Sequence, residues 1–504
     1  MNRKSFVTLL LALIMLFACA AAVAEYDTHV TLTGTAYGLT AGTTYTDDPL
    51  YDYISEKFNL DWDPWIVENK SHNEKIRIWT SSDSMPDVAL WRSINMAEYM
   101  SYVDQELIAP LPDGWKESYP HLAKAIAKSG LEEKMTVDGK IYLIPHTVFA
   151  NYVDMEVPVV HHCVYYRKDW AQQLGFDIGE TITLDEFAAY NKACVENDMV
   201  GAGNTVGITD SARKLLTDMM MFSEAWYTKF TTQDGQYVWS MTTAGVKEVI
   251  QLLRDWYKMG IIPPDFYALE DTEGFSVFDA GIAASTIREA SVQNLHDVYK
   301  QFEAANPGKS ADDCIGLTLL ADNDGTPYGY EVTNYWMATI MGPNIDPEAQ
   351  DRFLSLVDWM CDPKEGQLIV PLGLPGTDWD FAEDGSLIIH NKASYPSQKL
   401  FQMHGMCSDE ANFLNPANDQ DKVAKVLRNY EIRNAEGSYI LRIDYDYDFY
   451  TSDLKSNYSV DVQSAVVEMI VSDEDLDTMI NKFVEENRPL WEPLCEEINE
   501  TLCK

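Results

Sequence analysis

A chain of 504 residues that is 46% hydrophobic can bury large cores, and its length predicts two or three domains. Its 80 acidic residues against 37 basic ones leave a net charge of −43, which excludes nucleic acid and anionic lipid headgroups as partners, because both demand basic surface. The charge reads first as a solvated acidic surface, and second as a field that would steer a cationic ligand.

Residues 1–24 read as an export leader, with Arg3-Lys4 ahead of an apolar run over 6–17 and Ala22-Val23-Ala24 before Glu25. That run is too short to span a bilayer, and no later stretch approaches ~18 uninterrupted apolar residues. Leu16-Phe17-Ala18-Cys19 resembles a lipobox, although phenylalanine departs from the small or β-branched residue usual at its place. Two mature starts are therefore expected alternatives: a lipidated Cys19, which would be the chain's one membrane contact, or Glu25.

Residues 28–36 alternate as a first strand, and Tyr37-Gly38-Leu39 opens a loop expected at the mouth of a cleft. A helix is predicted over 50–58 from Leu50, Tyr53, Ile54 and Phe58, and a helical approach over 74–80 to Ser81-Ser82-Asp83. Pro86-Asp87-Val88-Ala89-Leu90 reads as a buried strand ending at Trp91, and 116–130 as a helix stopped by Gly130. Asp138-Gly139 is a tight-turn dipeptide, because glycine supplies the positive φ such a turn needs. Strands over 141–145 and 157–166 follow, and the irregular residues between them read as a hinge where the chain leaves one sheet for another.

Beyond the hinge, helices are expected from Asp169 and over 184–195, 213–227 and 244–259. A strand at 282–286 precedes Arg288-Glu289, another covers 314–320, and 330–342 would recross the hinge. An amphipathic helix over 347–361 and helices over 460–471 and 476–487 complete the chain, with the acidic-aromatic run 444–450 between. Strands alternating with helices predict α/β layers around largely parallel sheets.

Several short motifs fall in a fixed order. Ser82-Asp83-Ser84-Met85-Pro86-Asp87-Val88 precedes Asp138-Gly139-Lys140-Ile141-Tyr142-Leu143-Ile144-Pro145, which Tyr166-Arg167-Lys168-Asp169-Trp170 and Leu174-Gly175-Phe176 follow. Thr183-Leu184-Asp185-Glu186-Phe187, Thr205-Val206-Gly207-Ile208, Tyr257-Lys258-Met259-Gly260-Ile261-Ile262, Pro264-Asp265-Phe266 and Gly376-Thr377-Asp378-Trp379-Asp380 come after. In order and spacing over residues 30–390 they resemble extracellular solute-binding proteins of bacterial ABC importers, above all the lipoprotein-type branch of solute-binding family 1, which mostly serves carbohydrates. The resemblance implies an α/β, two-lobe periplasmic-binding-protein-like fold of type II with hinge-linked lobes. Residues 25–150 and 329–400 would form the first lobe, 151–328 the second, and 401–504 a helical region closing onto the second. It also implies a monomer that captures a small solute, foremost an oligosaccharide, and delivers it to permease subunits without covalent chemistry. The competing classes are a secreted glycoside hydrolase, whose paired carboxylates would be hidden among 80 acidic residues, and a binder of peptides or cationic solutes.

No cofactor or metal is expected. HExxH, GxSxG and glycine-rich dinucleotide motifs are absent, and Gly308-Lys309-Ser310 lacks a phosphate loop's first glycine, because Glu303 stands there. Cys163, Cys194, Cys314, Cys361, Cys407, Cys495 and Cys503 show no CxxC spacing and read as free thiols. His161-His162-Cys163 lies in a strand, where neighbours face opposite ways, so zinc is not supported. The acidic calcium loop common in the family corresponds here to Asp198-Met199-Val200-Gly201-Ala202-Gly203-Asn204, shortened and nearly stripped of carboxylates. Asp322-Asn323-Asp324-Gly325 with Glu331 keeps part of an EF-hand spacing, but Leu320 occupies its first position, so a hairpin turn is the better reading.

The 13 tryptophans and 28 tyrosines point to sugar, because sugar rings present apolar C–H faces for aromatic stacking while a few polar groups fix their hydroxyls. For any single ring, core packing competes with that role. Trp91 resembles the stacking tryptophan of maltodextrin-type binders, with Arg92 and Asn95 as neighbouring donors. Arg288, Glu289 and Trp336 are further candidate ligand contacts, followed by Trp226, Trp379 and Tyr37.

Overall fold

The computed structural model of the protein describes residues 26–36, 38–68, 71–92, 96–146, 158–333, 335, 337–383, 387–391, 393–402, 404 and 419–503. The expected leader with Cys19, the loop residue Tyr37, Asn95, Trp336 and Cys407 lie outside the described residues. The chain divides into two compact units, one from residues 1–151 and 334–417, the other from 152–333 and 418–504.

The first unit is built on a five-stranded sheet in the order Leu60–Pro64, Val30–Gly34, Val88–Arg92, Met337–Met341, Leu143–His146. Its first three strands are parallel, and Met337–Met341 runs antiparallel to both neighbours. Helix Pro49–Phe58 begins at Asp48, whose side chain accepts from the Leu50 and Tyr51 amides. Helix Pro347–Met360 buries Phe353, Leu354, Leu356 and Val357 completely, and its Arg352 donates to the Phe58, Asn59 and Thr28 carbonyls. The helix expected over 116–130 is two helices, Trp115–Ser118 and Pro120–Lys128. Pro120 has no N–H and pushes Tyr119 out of helical geometry, to φ −128° and ψ 72°. The Asp138-Gly139 turn closes a hairpin between Thr136–Val137 and Lys140–Ile141, both turn residues having positive φ (50° and 78°).

The second unit has its own five-stranded sheet, ordered Thr181–Thr183, Ile315–Ala321, His162–Arg167, Ala283–Glu289, Val206–Ile208. The central strand runs antiparallel to both neighbours, and the edge strands pair in parallel. Both sheets are therefore mixed rather than largely parallel. Helical crossovers return a chain to the same end of a sheet and force parallel pairing. His162–Arg167 and Met337–Met341 instead follow the points where the chain passes from one unit to the other, and each runs against its neighbours. Helix Ala244–Lys258 buries Val246, Ile250, Leu253 and Trp256 in this unit's core.

Other boundaries also differ from expectation. The strand expected over 157–166 pairs regularly only over His162–Arg167, and Val159 ahead of it forms a single bridge with Glu331. Ala283–Glu289 extends through the charged pair Arg288-Glu289 because the central strand supplies Cys163 and His162 as their partners. The helix expected over 213–227 covers Ala212–Met219, tightens into a 3-10 turn at Met220–Ser223, and ends at Glu224 with φ 55°. The last helix does not stop at 487 but runs Leu476–Leu502 through Pro489 and Pro493. Pro489 is exposed, so water can satisfy the carbonyl it frees, and the Trp491 indole N–H donates to the nearby Val484 carbonyl. The Asp322–Gly325 segment is a turn, as read: the Asp322 side chain accepts from the Asp324 and Thr326 amides, and Gly325 has φ 90°. Cys163, Cys194, Cys314, Cys361, Cys495 and Cys503 are free thiols.

Candidate functional site

In the second unit, the end of Ala283–Glu289 meets helix Ala212–Met219. Ser211 caps that helix by accepting from the Lys214 amide, which sets Lys214 and Asp218 one turn apart on the same face. Lys214 is 3% exposed, and a buried ammonium needs compensation. Its Nζ lies 2.9 Å from Glu289 Oε1, 3.4 Å from His162 Nε2 and 5.3 Å from the Phe275 ring centre. His162 Nδ1 is 2.7 Å from Asp218 Oδ1, and the Tyr330 hydroxyl donates to the same oxygen at 3.1 Å. His162 Nε2 also lies 3.6 Å from Glu289 Oε1, so the ring sits between two carboxylates with the Lys214 ammonium beside it.

Electrostatics follow the geometry. Burial would raise Glu289, but the Lys214 ammonium and His162 hold it down at about 2. Burial likewise opposes ionisation of Asp218, and His162, Lys214 and the Tyr330 hydroxyl hold it below the usual carboxylate range. Asp210 goes the other way. Burial pushes it up to about 8, even though its carboxyl receives the Ile287 amide and the Thr286 hydroxyl. It is therefore mostly a neutral acid at pH 7.

Aromatic rings border this cluster. Tyr330 meets Trp226 edge-on at 5.5 Å and His162 at 6.2 Å. Trp226 is half-buried and donates its indole N–H to the Arg442 carbonyl. Buried Glu331 ties the C-terminal segment to the strand that carries Tyr330, accepting from Arg442 Nε, the Ile443 amide and the Tyr445 hydroxyl. Arg433, from helix Gln420–Arg433, donates to the Val160 and His162 carbonyls. Asp218, Cys163, Ile287 and Arg433 line a small cavity behind the histidine.

Of the residues named from sequence, this region brings together Glu289 and Trp226. Arg288 is buried, pairs with Asp279 at 3.2 Å and lies over the Phe275 ring at 4.1 Å. Trp91 is in the first unit, 1% exposed and stacked on Tyr102 at 5.0 Å and 25°. Arg92 is half-buried, and its backbone exchanges two hydrogen bonds with the Asn73 amide. Trp379, 3% exposed, donates to the Gly373 carbonyl. His162, Lys214, Asp218, Asp210 and Tyr330 were not anticipated. The available signal was Lys214 and Asp218 four apart on one short helix, together with a histidine that was weighed only for zinc.

The family motifs hold structure. Arg167 is fully buried, grips the Asp169 carboxylate with two hydrogen bonds, and lies 4.2 Å from the Trp170 ring centre. Asp378 accepts from the Leu374 amide and the Tyr395 hydroxyl, and any Cβ at Gly373 would strike it. In the 198–204 loop, Asp198 itself accepts from the Gly201 and Gly203 amides and the Thr205 hydroxyl. That carboxylate closes its loop with protein donors. Among the described residues no group of three or more His, Cys, Asp or Glu side chains is placed to hold a metal ion.

No family model matches the chain. It is similar to Lipoprotein LipO of Bacillus subtilis (strain 168), 23% identical over 356 residues, 68% of this chain and 66% of the relative, so the match spans about two thirds of each. Among solved structures it resembles the alginate-binding protein AlgQ2, with TM-score 0.65 and 16% identity over 94% of this chain and 97% of the other. The ABC-transporter substrate-binding protein FusA of S. pneumoniae, solved with kestose, gives 0.65 and 13% over 92% and 97%. The N-glycan transport solute-binding protein NgtS of Streptococcus pneumoniae gives 0.62 and 14% over 94% and 98%. The mixed α/β fold of this chain is that of the extracellular solute-binding proteins of ABC transporters, which the motif order implies.

Proposed function

We propose that this chain is an exported substrate-binding protein of an ABC importer, which captures an oligosaccharide and delivers it to permease subunits in the membrane. The observation that carries the reading is the likeness, over more than nine-tenths of the chain, to binding proteins that include FusA with kestose and NgtS. The second unit supports it. Glu289 is a fixed carboxylate at a strand end, where open α/β sheets bind ligands, and the ring of Trp226 lies in the same region. A rigid acceptor with an aromatic face suits a hydroxylated ring. The mature chain would begin at Cys19, lipid-anchored, or at Glu25, and would act as a monomer. Capture leaves the ligand chemically unchanged.

A thermal-shift screen of the secreted protein against neutral oligosaccharides tests the reading. A ligand that binds only the folded chain raises its apparent stability by ~2.7 kcal/mol at a hundred times Kd. At least one oligosaccharide should raise Tm. A flat response across the panel, with a response to peptides or polyamines instead, would overturn the reading.

A further inference from the structure

We propose that Phe275, which no motif in the sequence marks, is a ligand contact of the second unit, on which the apolar C–H face of a sugar stacks beside Glu289. The inference rests on the carbohydrate reading of the same site and adds an aromatic surface to it. The position of the ring follows from the chain around it. Helix Asp271–Asp279 is tied at its start to the helix that carries Lys214, because the Asp271 carboxylate accepts from the Ser211 hydroxyl and from Arg213. Gly274 packs on the backbone ahead of that helix: its carbonyl accepts from the Thr209 hydroxyl at 3.1 Å, and a Cβ there would lie 3.3 Å from the Thr209 carbonyl oxygen. Phe275 comes one turn after Asp271 and shares its helix face. The fold thus brings its ring against Lys214.

Two cations hold the ring in place. The Arg288 guanidinium lies 4.1 Å from its centre and the Lys214 ammonium 5.3 Å. Each is anchored in turn, Arg288 by Asp279 at 3.2 Å and Lys214 by Glu289 at 2.9 Å. Both cations are buried, whereas Phe275 is only half-buried. They therefore lie on the protein side of the ring, and its exposed part is turned away from them. Phe278, on the next turn, is fully buried and supplies the packing of this helix. What remains at Phe275 is a fixed, part-exposed ring that shares the Lys214 ammonium with a part-exposed carboxylate. That pairing suits a sugar, whose C–H face meets the ring while a hydroxyl donates to Glu289. Because the ring is already held, little side-chain freedom is left to lose on binding. The competing role is purely structural, a cover that keeps water from the two cations.

Calorimetric titration of the secreted protein with neutral tetrasaccharides (fructo-, manno-, xylo- and gluco-series) tests this, on wild type, F275L and F275Y. Leucine keeps an apolar cover over the cations without an aromatic face, and tyrosine keeps the ring. For the tetrasaccharide that wild type binds most tightly, F275L should bind roughly three- to tenfold more weakly, and F275Y should bind like wild type. Proton spectra of the bound sugar give a second readout. At least one ring C–H signal that wild type moves upfield should lose that shift with F275L and keep it with F275Y, since an aromatic face shields what lies on it. Circular dichroism checks that the variants are folded, and F275M replaces F275L should leucine not fold. A folded F275L that binds and shifts the sugar like wild type overturns the inference, reduces the ring to a cover and leaves sugar capture standing. Weaker binding with the shift retained overturns it too, because Phe275 would then act only through Lys214 and Glu289, and so does an F275Y as weak as F275L. A wild type that binds none of the probes overturns sugar capture and this inference together.

Discussion

Two strand ends, one in each unit, carry the residues that sequence singled out, and the structure treats them oppositely. Near the end of Val88–Arg92, Trp91 stacks on Tyr102 and is 1% exposed. Ala283–Glu289 ends in a carboxylate whose side chain is 37% exposed. Residue type alone would have reversed the two, since an indole is a natural sugar platform and a Glu beside a buried Lys reads as an internal ion pair. Neighbours decide. Helix Met96–Asp104 brings Tyr102 against the Trp91 ring, whereas Lys214 holds Glu289 by one oxygen while its side chain stays 37% exposed.

The comparison breaks most readily at Trp91. As positioned, its side chain is core, so Trp91→Ala should destabilise the first unit by ~3–5 kcal/mol, read as a lower Tm or denaturant midpoint. Ligand affinity measured below that transition should change little. A folded variant with affinity ~30-fold weaker, ~2 kcal/mol, would return Trp91 to the binding surface.

The second unit's buried acid gives a pH-dependent effect that is smaller than this over any one pH unit. Asp210 is raised from its ordinary 3.8 to about 8, so the fold favours its protonated form. That contribution is full below the ordinary value and is lost as pH climbs through the raised one, by up to ~1.4 kcal/mol per pH unit. Asp210→Asn keeps an acceptor for the Ile287 amide and removes the titration. Its Tm should gain on wild type steadily from pH 4 to pH 8. A constant difference would show that Asp210 does not titrate there.

The smallest effect belongs to the 198–204 loop. Asp198→Ala removes the acceptor of two amides and a hydroxyl at the surface. Amide exchange at Gly201 and Gly203 should quicken while Tm barely moves. Calcium that slowed exchange there in wild type would mark the loop as a cation site after all.

Much of the fold was readable because its signals are local. Asp138-Gly139 needs positive φ at both residues and has it, and helices near 50–58 and 244–259 follow from their own apolar spacing. The misses have physical causes. Pro120 splits a helix that periodicity carried through, Pro489 fails to stop one at an exposed position where water can satisfy the freed carbonyl, and Arg288-Glu289 look like loop residues until the central strand pairs with them. The site was harder to see. Glu289 and Trp226 could be named as polar and aromatic groups near strand ends, but the residues that position them could not. Lys214 meets a glutamate 75 positions away, and His162 an aspartate 56 away. A lysine on a short amphipathic helix reads as solvent-facing until the fold buries it.

The most direct test of the account is calorimetric titration of the secreted protein, and of Trp226→Ala, with the neutral oligosaccharide that raises Tm most, followed by mass spectrometry of the recovered sugar. The account predicts saturable binding, affinity about tenfold weaker in the variant, and sugar recovered intact. Absence of heat with every oligosaccharide, or recovery of shortened products, would contradict it.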